Sequence, residues 1–151
     1  MKSWIFKTGV LSAPLIQRGL LAVVLFPHGA QKLLGWYDGY GFSGTMGFFT
    51  ESIGLSYIIA FLVIMLEFFG PILLLLGLGV RLVSAALTIL MLGIVFTSHW
   101  QHGFFMNWFG NQKGEGIEYF LLFLAGTLSL LFSGAGKWSI DRRIHDSNAS
   151  L

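Results

Sequence analysis

Six ionisable side chains interrupt stretches of this 151-residue chain that are otherwise apolar: Arg18, His28, Lys32, Glu67, His99 and Glu118. A charge at the centre of a bilayer costs ~2.5–3.5 kcal/mol or more, so such groups turn inward and find partners. Histidine titrates near neutrality, and desolvation raises a buried glutamate towards the same range. A histidine, a lysine and carboxylates in one membrane pocket can hydrogen-bond the carbonyl oxygens of a quinone and exchange protons with it. The electrons must come from elsewhere, because the sequence holds no glycine motif for the phosphates of a flavin or nicotinamide.

Other chemistries fit less well. Axial haem ligation by His28 and His99 requires the two to lie at one depth, and helical arithmetic separates them by ~6–9 Å. A metal site from His28, His99, His102 and Glu118 lacks any HxxxH or HExxH spacing. Neither haem, flavin nor metal is expected. With no cysteine in the chain, disulfides, thiol exchange and iron–sulfur clusters are excluded. A formal net charge of only +2 gives no reason to propose nucleic-acid binding.

These residues need elements to position them. Hydrophobic residues make up 55% of the chain and charged ones only 11%, less than half the usual soluble share. So few charges cannot coat a water-soluble surface, and an integral membrane protein is predicted. Continuous apolar runs, rather than alternating ones, argue against a β-barrel. Four segments approach the ~20 apolar residues that a bilayer crossing needs: Pro14–Leu34, Leu55–Gly77, Leu82–His99 and Ile117–Ser133. The predicted fold is all-α, a bundle of four transmembrane helices. Arg18 interrupts the first apolar run, and Pro27-His28-Gly29 makes a poor cleavage site, so this run is read as a retained helix rather than a signal peptide. With the N-terminus inside, Lys2, Lys7, Arg18, Arg81, Lys137, Arg142 and Arg143 fall on the inner side, and only Lys32 and Lys113 outside. That bias places both termini in the cytoplasm. The outer connections Gly35–Gly54 and Trp100–Gly116 mix glycine with many aromatics, as suits an aromatic belt or a lid over a ligand. A short interfacial helix is expected near Ser43–Ser52, with Ser43 as its cap. Residues 1–141 form one domain, and 142–151 a polar cytoplasmic tail.

The spacing sorts the ionisable residues into two layers. At 100° per residue, Lys32 lies ~40° and His28 ~80° from Arg18, so one face of the first helix carries all three. Depth counting puts Arg18 ~6 Å, His28 ~21 Å and Lys32 ~27 Å from the inner end, with Glu67 ~15 Å up the second helix. The inner layer is then a structural ion pair between Arg18 and Glu67, across a ~9 Å offset that an extended arginine nearly spans. Its alternative is an arginine snorkelling to the headgroups. The outer layer gathers His28, Lys32, His99 and Glu118 as the candidate catalytic set. Gly29, Glu67, Trp36 and Trp100 are the candidate ligand contacts, Gly29 because a missing side chain admits close approach. Pro71, four residues after Glu67, removes the donor to the Glu67 carbonyl.

Several pieces in combination resemble the DoxX family of small membrane proteins. They are Arg18-Gly19-Leu20, His28-Gly29-Ala30-Gln31-Lys32-Leu33, Glu67-Phe68-Phe69-Gly70 with Leu74-Leu75-Leu76-Gly77, Arg81, His99, Glu118-Tyr119, and Gly134-Ala135-Gly136-Lys137-Trp138-Ser139-Ile140-Asp141. The likeness runs from about Leu15 to Asp141, with Ala135 where the family commonly has proline. It implies a protein of the bacterial inner membrane, like family members that are subunits of a thiosulfate:quinone oxidoreductase or work beside soluble redox partners. It points to His28, Lys32, Glu67 and Glu118 as the site, and to Arg18, Arg81 and Asp141 as architectural.

The leading expectation is a membrane-embedded redox component that binds quinone, or a similar aromatic lipid, and works with a soluble oxidoreductase. His28 and Lys32 would orient the carbonyl oxygens, while Glu118 and His99 handle protons. One rival is a non-catalytic scaffold recruiting a redox partner through the basic tail Lys137–Arg143. Another is a small proton-coupled transporter built on Glu67 and Pro71, which at four helices would need to form a homo-oligomer.

Overall fold

The computed structural model describes residues 12–149. Lys2 and Lys7, and with them the N-terminal part of the inside-charge argument, lie outside the described residues, as do Ser150 and Leu151. Every regular element among the described residues is helical.

The first helix, α1, runs Ala13–Leu34, with proline in its opening turn where no amide donor is needed and Gly35 ending it at φ 74°. A short helix α2, Gly41–Gly47, continues as a wide turn through Phe48–Ser52. Helix α3 spans Tyr57–Leu76, opened by the Ser56 hydroxyl accepting from the Ile59 N–H and closed by Gly77 at φ 67°. After a turn of three residues, α4 covers Val80–Ile94 and runs on through wide and tight turns to His102. Helix α5 is Glu118–Ser133, and α6, Ile140–Ala149, ends the described chain. The expected interfacial helix exists but starts at Gly41. Ser43 lies inside it and caps nothing, because the preceding glycine at φ 66° already sets the entry.

Helix α1 packs most extensively along α3; α3 also meets α4, α4 meets α5, and α5 returns to α1. Ala22, Leu25, Leu74, Leu87, Met91 and Phe123 fill the centre. A smaller cluster of Met46, Ala60 and Ile64 pins α2 beside α3. The outside is more informative than the core. Ile89 is 71% and Leu122 72% exposed, with Val23, Leu62 and Phe132 likewise turned outward, whereas Arg18, Glu67, Thr127 and Asp141 are buried. Charge inside and hydrocarbon outside reverses the arrangement that water selects and matches what lipid selects. Two helices, Tyr57–Leu76 and Val80–His102, are long and apolar enough to cross a membrane. Helix α5 is apolar but has only 16 residues, ~24 Å against a ~30 Å hydrocarbon core.

Candidate functional site

Gly29 of α1 crosses α3 at close range. A Cβ at Gly29 would collide with the backbone of Glu67 and Phe68. Proline at position 71 has no N–H, so the Glu67 carbonyl lacks its usual helical donor and lies instead against the Gly29 backbone. One turn beyond, Lys32 Nζ donates to Glu67 Oε2 in an ion pair. The two partners are unequal: the Glu67 side chain is 3% exposed and that of Lys32 26%. His28, a turn before Lys32, points to the outside of the bundle. Phe26 and Phe68 lie 5.6 Å apart by ring centroids, and Phe68 meets Phe69 edge-on at 5.1 Å, giving this face an aromatic lining.

Glu67 therefore pairs with Lys32 and not, as expected, with Arg18. The depth count assumed that both helices start at one level. In fact Arg18 stands beside the far end of α3, where its guanidinium donates to the Leu74 and Leu75 carbonyls at 2.8 and 2.5 Å. Gly29, ~16 Å further along α1, then meets Glu67. The same guanidinium reaches the Lys137 and Trp138 carbonyls at 3.1 and 2.6 Å. Arg18 thus neither snorkels nor pairs with Glu67; it satisfies carbonyls of the α3 end and of the segment before α6. Asp141 completes this clasp by accepting from the Gly79 and Val80 N–H groups at 2.7 and 3.0 Å, capping α4 rather than its own helix. Ser139 Oγ caps α6, accepting from the Arg142 N–H at 3.3 Å. Burial pushes the Asp141 carboxyl above its ordinary value, against the pull of those two N–H donors and of the Arg18 and Arg81 charges.

The outer layer divides. His99 sits in the wide turn at the end of α4, with Nδ1 2.8 Å from the Glu115 carbonyl and its ring 4.4 Å from that of Phe120. The Glu118 carboxylate accepts from the Met106 N–H at 3.2 Å. Both residues thereby shape the segment 103–117, whose ends are also joined by the Glu118 N–H donating to the Phe104 carbonyl at 2.9 Å. Neither is hydrogen-bonded to His28, Lys32 or Glu67. Trp36 packs edge-on to Tyr37, Trp100 stacks near Phe96, and both rings are largely exposed. The structure brings Lys32, Glu67 and Gly29 together, leaves His28 beside them on the outer surface, and turns His99 and Glu118 towards the segment 103–117. Tyr119, at the start of α5 with its ring centroid 5.6 Å from that of Phe120, was not among the expected site residues. Its only signal in the sequence is its place next to Glu118.

Buried charge beneath an apolar exterior, with two membrane-length helices, makes this a membrane protein. None of the curated proteins and none of the solved structures matches it. Residues 13–100 match the DoxX family model, a span that includes Arg18, the Gly29 crossing, the Lys32–Glu67 pair, the turn before α4 and His99. The chain belongs to the DoxX family.

Proposed function

We propose that this protein is a redox component of the bacterial inner membrane, with α1, α3, α4 and α5 all spanning and both termini in the cytoplasm. The site would hold the head of a quinone, or a similar aromatic lipid, at the Lys32–Glu67 pair. The observation that carries this reading is the inequality of the pair. A buried carboxylate pairs with a lysine that stays partly exposed one helical turn from His28, and the rings of Phe26, Phe68 and Phe69 pack together on the same two helices. That donor set suits a carbonyl oxygen on an aromatic ring. Bound there, a quinone would accept two electrons and two protons. Lys32 and His28 would orient its oxygens, one proton passing from the Lys32 ammonium, recharged through Glu67, and the second from His28 at the outer surface. The Gly29 contact keeps α1 against α3 so that this geometry is held in advance. The electrons would come from a soluble oxidoreductase, since the sequence shows no binding motif for an electron carrier of its own.

The test is quinone retained by purified protein in nanodiscs, read by mass spectrometry, with quinol turnover followed in the presence of the redox partner. Lys32→Ala and His28→Ala are expected to lose the bound quinone, and His99→Ala to keep it. Unchanged retention in the first two variants would remove the assignment.

A further inference from the structure

We propose that the groove where α6 leaves the end of α3 binds the phosphate-bearing headgroup of an anionic phospholipid. This rests on the membrane character of the chain and is independent of the quinone site. The two membrane-length helices, α3 and α4, are joined by residues 77–79, so their shared end marks a membrane boundary. At that boundary lies an open groove of about 430 Å³ lined by Leu76, Trp138, Ser139, Arg142, Arg143 and Asp146.

Its lining is amphipathic in the manner of a lipid. Leu75 and Leu76 expose hydrocarbon on the membrane side. Trp138 is 84% exposed at a backbone φ of 50°, a left-handed conformation rare for so bulky a residue. Its carbonyl is tied to Arg18 and its neighbour Ser139 is buried, so the ring is held outward at headgroup level. Arg142 meets Asp146 through Nε at 3.5 Å, an exposed pair of little strength. The terminal nitrogens of Arg142 and the guanidinium of Arg143 have no protein partner among the described residues. The nearby Asp141 carboxylate is turned inward onto α4 and does not offset them. Two guanidinium groups against one exposed carboxylate leave the groove positive, and their planar forks suit phosphate oxygens. An acidic protein would satisfy the arginines but not the exposed Leu76 and Trp138, which suit a ligand that continues into the bilayer.

The experiment is native mass spectrometry of the full chain, with phosphatidylglycerol or phosphatidylcholine added in matched amounts. Phosphatidylglycerol is expected to be retained in preference. Arg142→Gln with Arg143→Gln should weaken that retention roughly tenfold or more. The paired Lys substitutions should keep most of it, and Lys113→Gln should change nothing. Arg143→Gln alone breaks no side-chain hydrogen bond or ion pair among the described residues and should shift retention in the same direction. Equal retention of the two lipids, or no change in the Gln variants, overturns the proposal. Displacement by millimolar inorganic phosphate alone would make the groove a free-anion site. Loss of an acidic soluble partner with lipid retention unchanged would make it a protein-docking surface.

Discussion

Gly29 decides how near α1 comes to α3, and through that distance whether Lys32 can reach Glu67. Adding one methyl group there drives a side-chain atom into rigid backbone. Gly29→Ala is therefore expected to lower thermal stability in detergent by ~1–3 kcal/mol. Gly19→Ala is the control within the same helix: a Cβ there meets nothing within 4 Å, and replacing a helical glycine should be neutral or stabilising by up to ~1 kcal/mol. The ion pair makes its own prediction. Glu67→Leu strands the Lys32 ammonium and should cost ~2–3 kcal/mol, less than for a fully dry pair because Lys32 is partly exposed. Combining it with Lys32→Met should recover most of that loss in a double-mutant cycle. The residue types at this site were legible in the sequence, since charge in an apolar run stands out. Which charge meets which was not legible, because that depends on the stagger of α1 against α3, and no residue within either helix encodes it locally.

The helices were far easier to read than their contacts. Apolar length marked α1 and α3 to within two residues, and the glycines at 35 and 77 end both helices in left-handed backbone. The clasp at the α3 end depends on segments more than a hundred residues apart, and only its building blocks were visible. Arg18 there satisfies carbonyls from two separate segments. Arg18→Gln is accordingly expected to release α6, which amide hydrogen exchange should register as faster exchange over residues 137–149 with α5 little changed. Asp141→Asn keeps one acceptor of the two that cap α4. It should cost ~1 kcal/mol and raise exchange at Gly79 or Val80 alone.

At the scale of the molecule the decisive property is an apolar coat over an interior that also holds the buried charges, and composition alone already announced the apolar coat. The absence of cysteine makes the crossing pattern directly testable, because any introduced thiol is the only one. Cysteines at Leu62, Ile89 and Leu122 should resist a membrane-impermeant maleimide in intact membranes. One at Lys113 should react from outside, and one at Ser147 only after permeabilisation. Reaction of Lys113 and Ser147 from the same face would refute the proposed topology. The clasp finally bears on biogenesis. In the proposed four-span topology, α1 would enter the bilayer carrying an arginine whose last two acceptors, the carbonyls of Lys137 and Trp138, have not yet been made. The first helix would then lack half of its arginine's acceptors until residues 137 and 138 have been made. A chain stopped at Ser133 would keep every long helix yet leave that guanidinium half-satisfied, and pulse-chase labelling is expected to show it turning over faster than the full chain.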